Sequence, residues 1–363
     1  VPAYIIAYTY TDFLEYAGPV QKIIREFFNF QNSEEYWFPE IRSMEGAIFV
    51  MSFVLYPYIY MTTRASFLTV PISFFQTSLI YGRNTFFSVA LPLARPGIIA
   101  GLALVLMETV SDFGTVEYFA LETLTLGVFN VWLGMNSLSG ASQISSVLFV
   151  FVVVLLTIEY LARRNQRFHE KSSGQNMVES KSSSRLHKII CFLICLTPIV
   201  IGFVIPVSVL LNFIFSGFSI IDFKQIFYTS FFSITLAFTG AFFVMLVSIF
   251  LILISNYKSN NLQKSIIFLA SCGYALPGTI LAVGMVIFLG WINEYLHFHL
   301  SYFAGGFIVL IFAYIVRFLA VGNASIRSGI LKIHPNAMDA SLTMGAGFFR
   351  GVKIVIMPLI LSN

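Results

Sequence analysis

Apolar runs of about twenty residues, separated by short polar stretches, recur along the whole chain and confine it to a helical membrane fold. A run of that length crosses a hydrocarbon core of roughly 30 Å as an α-helix, whereas a membrane β-strand is about ten residues of alternating polarity. Lipid offers no partner for an unpaired backbone N–H or C=O, so an open chain must cross as helix. Charge agrees. Only 10% of the 363 residues are charged and 58% are hydrophobic, against roughly 25% charged in soluble domains. The fold expected is all-α, embedded in a membrane.

The runs predict a partial span at 1–11, spans near 46–66, 97–115, 144–162, 188–214, 229–255, 265–291 and 303–322, and a last one opening near 352. From Arg163 to Lys188 the chain is polar, Ser-rich and basic, with seven of its 21 basic residues. Such a stretch buries too little apolar surface to fold alone. It predicts a cytoplasmic linker at 163–187 between a domain at 1–162 and a second at 188–363. Alternation then puts Lys258 and Lys264 inside, and leaves 116–142 and 292–302, which contain no Lys or Arg, outside. The net charge of +4 is therefore a matter of topology, not a nucleic-acid footprint. Trp37, Trp132 and Trp291 fall on the outer side, where interface anchors belong. Cys191, Cys195 and Cys272 lie within apolar runs, as small hydrophobes rather than parts of a disulfide or zinc framework.

The two halves repeat. Each has a proline-bearing helix near its start, VPAYIIAYTYTDFLEYAG at 1–18 and LPGTILAVGMVIFLGWI at 276–292, then an outer loop and one span. Each continues into an inner polar stretch that ends in an apolar-proline signal, FFSVALPLARP at 86–96 and VKIVIMPLI at 352–360. Repeated domains place a pore between them. The chain starts at Val1 without methionine, and both ends fall in apolar stretches, as though cut. Pro277 lies about 89 residues after Lys188, and Pro92 about 71 before Arg163, so the repeat predicts a parent of about twelve spans with this chain as its middle.

The inner stretch HPNAMDASLTMGAGFFRGVKIVIMP at 334–358 resembles the cytoplasmic coupling loop of ABC importer permeases, with Asp339, Ala340, Ser341, Gly345 and Pro358 at the motif's spacing. Small residues let a short helix enter a groove, glycine permits the turn, and proline opens the next span. In the first half Gln76, Thr77, Ser78 and Gly82 keep the small-residue spacing but leave only ten residues to Pro92. Counting back from Pro92 puts Ser73 at the acidic place instead; neither register has a carboxylate. More narrowly, PAYIIAYTYTDFLEYAGPVQ at 2–21, VLYPYIYMTTRASFL at 54–68, ALPLARPGIIAGLALVLMETVSDFGTVEYF at 90–119, GYALPGTILAVG at 273–284 and RFLAVG at 317–322 resemble the fused, two-domain ferric-iron permeases of that superfamily. Fused thiamine permeases share the architecture. The resemblance implies a multi-pass bacterial inner-membrane protein, a separate cytoplasmic ABC ATPase dimer on the two loops, and a periplasmic or lipoprotein substrate-binding protein outside.

Glu108 and Asp112 stand one helical turn apart in the expected span. Carboxylates at such depth face a bundle interior or a watery path, and oxygen ligands suit a hard cation. They read either as part of a translocation path or outer gate, or as a structural pair. Asp12 and Glu15 read as interfacial, Arg317 as snorkelling to the inner interface, and His297 and His299 as solvated. No Gly-x-x-x-x-Gly-Lys-Ser/Thr loop is present to cradle phosphates. The chain is therefore expected to be no enzyme, to need no cofactor, and to meet lipid rather than nucleic acid. A secondary transporter is the competing class, with midplane ionisable groups and commonly inverted repeats.

Overall fold

The computed structural model describes residues 1–68, 70, 72–164, 184–217, 222–257, 266–267, 270, 272–296, 306–330, 341, 343–345, 347–351, 354 and 358. Most of the described residues are helical, with no strand among them. Seven described helices are long and apolar enough to cross a membrane. The protein is a multi-pass, all-α membrane protein. Most of the linker, His297, His299, Lys258, Lys264, Asp339 and Ala340 lie outside the described residues. The chain divides into two compact units, Val1–Ile221 and Asp222–Asn363.

In the first unit α1 (Ala3–Leu14) starts after Pro2 and stops where Glu15 turns extended. Pro19 then opens α2 (Pro19–Phe28), and Asn29, left-handed at φ 58°, ends it. The spans α3 (Met44–Leu68) and α5 (Leu91–Ser111) pack along each other, with α4 (Ile72–Ile80) between them in sequence. A Cβ on Gly101 would lie 2.6 Å from both Ile59 Cα and Thr62 Oγ1, and one on Gly97 would lie 2.6 Å from the Thr62 carbonyl oxygen. This Gly-x-x-x-Gly face lets the two backbones approach to a distance that any side chain would prevent. Beyond α5 come the short α6 (Gly114–Tyr118) and α7 (Leu124–Phe129), then α8 (Leu138–Arg164).

The span that follows the linker, α9 (Arg185–Ile199) and α10 (Ile205–Gly217), belongs to this same unit. Between the two lies a π-helical turn, Val200–Val204, in which the Ile205 N–H bonds back five residues to Val200 O. The next bond in that register would run from residue 206 to Ile201 O, but Pro206 has no N–H. The Tyr10 hydroxyl of α1 donates to that carbonyl instead, at 2.7 Å. Around it Ile6, Ala7, Tyr10, Ile41, Ala47, Val50 and Phe119 form the unit's buried core, with Ile201 and Ile205 against it. Tyr10→Phe should leave the carbonyl unpaired and cost about 1–3 kcal/mol. Thermal unfolding of the purified protein in detergent would register that as an earlier transition.

In the second unit α11 (Phe223–Tyr257) packs along α13 (Phe307–Ile330), and a 3₁₀ turn, Cys272–Ala275, leads through buried Pro277 into α12 (Gly278–Leu296). Val244, Ser248 and Ile252 of α11 and Leu319, Asn323 and Ile326 of α13 are buried on spacings of three and four residues, as one helix face requires. Arg317 was expected near the inner end of a shorter span. α13 instead runs on to Ile330, which places Arg317 mid-helix, and its guanidinium lies over Gly278 at the start of α12. Cys191 and Cys195 are exposed on α9, among Phe192, Leu193 and Ile194 of the same apolar surface, rather than packed inside.

Candidate functional site

Two short stretches between spans repeat a local conformation, and the residues responsible can be followed one by one. α4 ends in a left-handed glycine turn: Gly82 has φ 60°, its N–H donates to Leu79 O, and the Arg83 N–H donates to Ser78 O, both at 3.1 Å. These are the paired bonds that close a helix C-terminus when the residue after the cap can take positive φ. Ser78 is buried and its hydroxyl donates to Arg83 O at 3.3 Å. Asn84 Oδ1 then accepts from the N–H groups of Phe86 and Phe87 at 3.0 and 3.4 Å, capping the next helix. That helix begins at Thr85, three residues past Gly82.

The second stretch shares three of these features at the same spacing. Gly345 has φ 81°, Ser341 four residues earlier is buried, and helix resumes three residues later at Phe348, the first residue of α14 (Phe348–Gly351). This geometry pairs Ser78 with Ser341 and Gly82 with Gly345, the register in which Gln76 and Thr77 stand opposite Asp339 and Ala340. A Cβ on either glycine would meet nothing within 4 Å. Glycine is present for its backbone angle, not for lack of room.

The first stretch is not followed by an ordinary helix start. Phe86–Ala90 is a π-helical turn, with the Leu91 N–H bonded to Phe86 O five residues back, and Pro92 follows inside one continuous helix. Widening by one residue per turn relieves the clash a proline ring makes with the preceding turn. Pro92 was expected to open the span; the helix starts seven residues before it. Ile354 is also π-helical, four residues ahead of Pro358.

One pair of side chains escaped the sequence reading. Tyr81 and Met344, each immediately before its glycine, are 75% and 87% exposed. Each stretch thus carries a bulky apolar residue in the open, immediately before a turn that fixes where it projects. Leu79 and Ile80 extend the exposed apolar surface of the first stretch. The signal was available as a large apolar residue directly before the glycine in each polar loop.

Glu108 and Asp112 differ in backbone setting while staying within electrostatic reach of each other. α5 ends at Ser111 rather than near 115, and Asp112 is extended at ψ 128°. Its Oδ1 accepts from the Thr115 N–H at 2.9 Å, capping α6. Glu108 remains on the helix, half-buried, near enough to Tyr58 of α3 for the two groups to interact electrostatically. Asp112 therefore does not share Glu108's helical face. Nearby, Thr125 Oγ1 donates to Val110 O at 2.7 Å, and the rings of Phe113 and Phe129 lie 4.4 Å apart, so the turn is closed on several sides. Glu15 bonds Arg42 Nε at 2.7 Å in an exposed ion pair, while Asp12 is exposed. Among the described residues no three His, Cys, Asp or Glu side chains converge in a way that would hold a metal ion.

Comparison with known proteins gives two relatives. The chain is 21% identical over 328 residues to the Fe(3+)-transport system permease protein FbpB 2 of Haemophilus influenzae, an alignment covering 88% of this chain and 63% of that protein. It is 26% identical over 139 residues to the molybdenum transport system permease protein ModB of the same organism, covering 34% of this chain and 59% of that one. The chain thus spans less than two thirds of the length of either relative. No family model matches, and no solved structure matches.

Proposed function

We propose that this chain is the membrane-spanning permease of a binding-protein-dependent ABC importer in the bacterial inner membrane, with ferric iron as its cargo. The observation that carries the reading is the twin inner stretch: a buried serine, an exposed apolar knob, a left-handed glycine and a resumed helix at identical spacing in both units. A protein that must be pushed from the same side at two equivalent places needs such a pair. The iron assignment draws on the long alignment with an iron(III) permease.

In this reading 1–162 and 188–363 are homologous permease domains joined by the linker 163–187. The stretches around Gln76, Thr77, Ser78, Gly82 and Pro92, and around Asp339, Ala340, Ser341, Gly345 and Pro358, dock a separate ATPase dimer that supplies the energy, and a periplasmic or lipoprotein binding protein delivers cargo to the outer face. Glu108 lines the path or its outer gate, and Asp112 shapes the turn beside it. A fused thiamine permease has the same architecture and differs in cargo.

Uptake of radiolabelled ferric iron by cells making the protein tests the reading. Uptake should require intracellular ATP and stop when the gene for the partner ATPase is deleted. Uptake that survives ATP depletion but follows the proton gradient would make the protein a secondary transporter. ATP-dependent uptake of thiamine or molybdate, but not of iron, would leave the importer and replace its cargo.

A further inference from the structure

The helix α2 has a task that the transport reading does not use. Its sequence, PVQKIIREFF, places Val20, Ile23, Ile24, Phe27 and Phe28 on one face at spacings of three and four residues, with Gln21, Lys22, Arg25 and Glu26 on the other. Such a helix normally turns its apolar side into the protein. Here the orientation is reversed: Gln21 is its buried residue, while Ile23, Phe27 and Phe28 are 64%, 78% and 60% exposed.

Polar bonds hold it that way. Gln21 Nε2 donates to Leu14 O at 2.7 Å, and Gln21 Oε1 accepts from the Tyr36 hydroxyl at 2.6 Å. Arg25 Nη1 donates to Tyr16 O at 2.7 Å and to the Tyr36 hydroxyl at 3.1 Å, and its guanidinium lies 4.0 Å from the centre of the Tyr16 ring. Lys22 and Glu26 pair along the same polar side at 3.9 Å. The helix is thus anchored by its hydrophilic edge to the end of α1, with its apolar face turned away.

Its level in the fold identifies what covers that face. Leu14, at the end of α1, packs on the core that includes Ile41 and Ala47, and Ala47 lies in the first turn of the span α3. α2 therefore lies where α3 enters the membrane. Exposed Met44, Ile48 and Phe49 begin the lipid-facing surface of α3 at that level. An aromatic run continues from the helix: Phe27 to Phe28 at 5.1 Å between ring centres, Phe28 to Phe30 at 5.7 Å and Phe30 to Tyr36 at 5.4 Å, next to a Trp37 that is 87% exposed. Aromatic side chains with one polar edge concentrate at membrane–water interfaces, where they lie at headgroup level.

We infer that α2 is an interfacial helix, lying in the membrane surface with Ile23, Phe27, Phe28 and Trp37 among the outermost acyl segments, Lys22 and Glu26 toward water, and Gln21 and Arg25 tying it to the chain. Helices of this kind bury their apolar face roughly 5–10 Å into the headgroup and acyl boundary. The occupant is lipid, not protein, because the face is continuous with the start of a span and its polar edge is already occupied by the chain itself. The helix fixes the depth of α1 and α3 and stops them sliding along the membrane normal.

The full chain reconstituted in phosphatidylcholine vesicles tests this without any transport assay. Phe27→Trp, in a background with the three natural tryptophans replaced by phenylalanine, reports from the apolar face. Lipids brominated near the top of their acyl chains should quench its emission by about half, lipids brominated near the bilayer centre should quench it less, and aqueous iodide should have little effect. Strong iodide quenching would put the face in water and overturn the inference. Protection from both bromine and iodide would mean that protein covers it, which overturns the inference equally. If that variant fails to reach the membrane, a spin label on Ile23→Cys in a chain without its native cysteines reads the same question: faster relaxation by oxygen than by a nickel chelate supports lipid, and the reverse order refutes it. Neither readout depends on cargo or ATPase, so failure here leaves the importer reading intact.

Discussion

Tryptophan at both Gly82 and Gly345 should bring uptake down to background while the protein still inserts at near-normal level. Two effects of the substitution can be separated. Any side chain at these positions must accept a φ of 60° or 81°, which costs about 1–2 kcal/mol outside glycine. A Cβ at either position meets nothing within 4 Å, so the side chain's first atom makes no clash within the chain. The indole ring would therefore occupy the volume that a docked partner needs. Alanine imposes the angle without the bulk and should lower uptake only modestly. Asparagine tolerates the left-handed region and should be milder still. Co-purification of the ATPase should follow the same order, with wild type, asparagine and alanine retaining it and tryptophan losing it. Normal transport in the tryptophan variant would remove the twin turns from the coupling mechanism.

Tyr81 and Met344 extend the same test from the turn to the knob. Aspartate at either position leaves every backbone bond of the turn in place, since neither side chain is buried. It sets a charge where an apolar groove is expected on the partner, at a desolvation cost of several kcal/mol if the residue enters that groove. ATPase stimulation by the permease should therefore fall while the thermal transition of the isolated chain stays where it was. An unchanged stimulation would mean the knobs face water in the assembled transporter.

Much of this architecture is legible in the sequence because lipid imposes a simple rule. Spans such as Met44–Leu68 and Phe307–Ile326 appear wherever apolar residues run on for a membrane's thickness. Their ends are less legible, since they depend on single hydrogen bonds. Asp112 followed by Phe113 and Gly114 is a capping sequence, but within a long apolar run it passes for one more helical turn. The start of the same span is blurred by Phe86–Ala90, where a π-helical turn carries the helix through Pro92. The placing of α9 and α10 with the first unit rests on contacts far apart in sequence, the Tyr10 bond to Ile201 O, the packing of Ile201 and Ile205 on the core and the Tyr8–Phe213 ring pair, which no local pattern announces. The twin glycines belong to the other class. Positive φ is a demand that glycine meets best, so Gly82 and Gly345 could be found by spacing alone. α2 was passed over because a run of ten residues is too short for a span and amphipathic helices usually bury their apolar side.

Charge removal at Glu108 and at Asp112 should give different outcomes, because the structure assigns the two carboxylates different partners. Asp112 Oδ1 holds the Thr115 N–H, a bond that asparagine can also accept and alanine cannot. Asp112→Asn should therefore leave protein level and uptake close to normal, whereas Asp112→Ala should cost about 1 kcal/mol of stability through the lost cap and lower the level in the membrane. Glu108 remains on the helix within electrostatic reach of Tyr58, in an apolar span where lipid would penalise a charge. Glu108→Gln keeps its shape and hydrogen-bonding capacity and removes the charge. If Glu108 lines the route of a trivalent cation, uptake should fall about tenfold with protein level and binding-protein docking unchanged. The same substitution should then spare an uncharged analogue of the cargo more than the metal. A fall in protein level without a change in uptake per molecule would make Glu108 a structural group, and the path would have to be sought elsewhere among the spans.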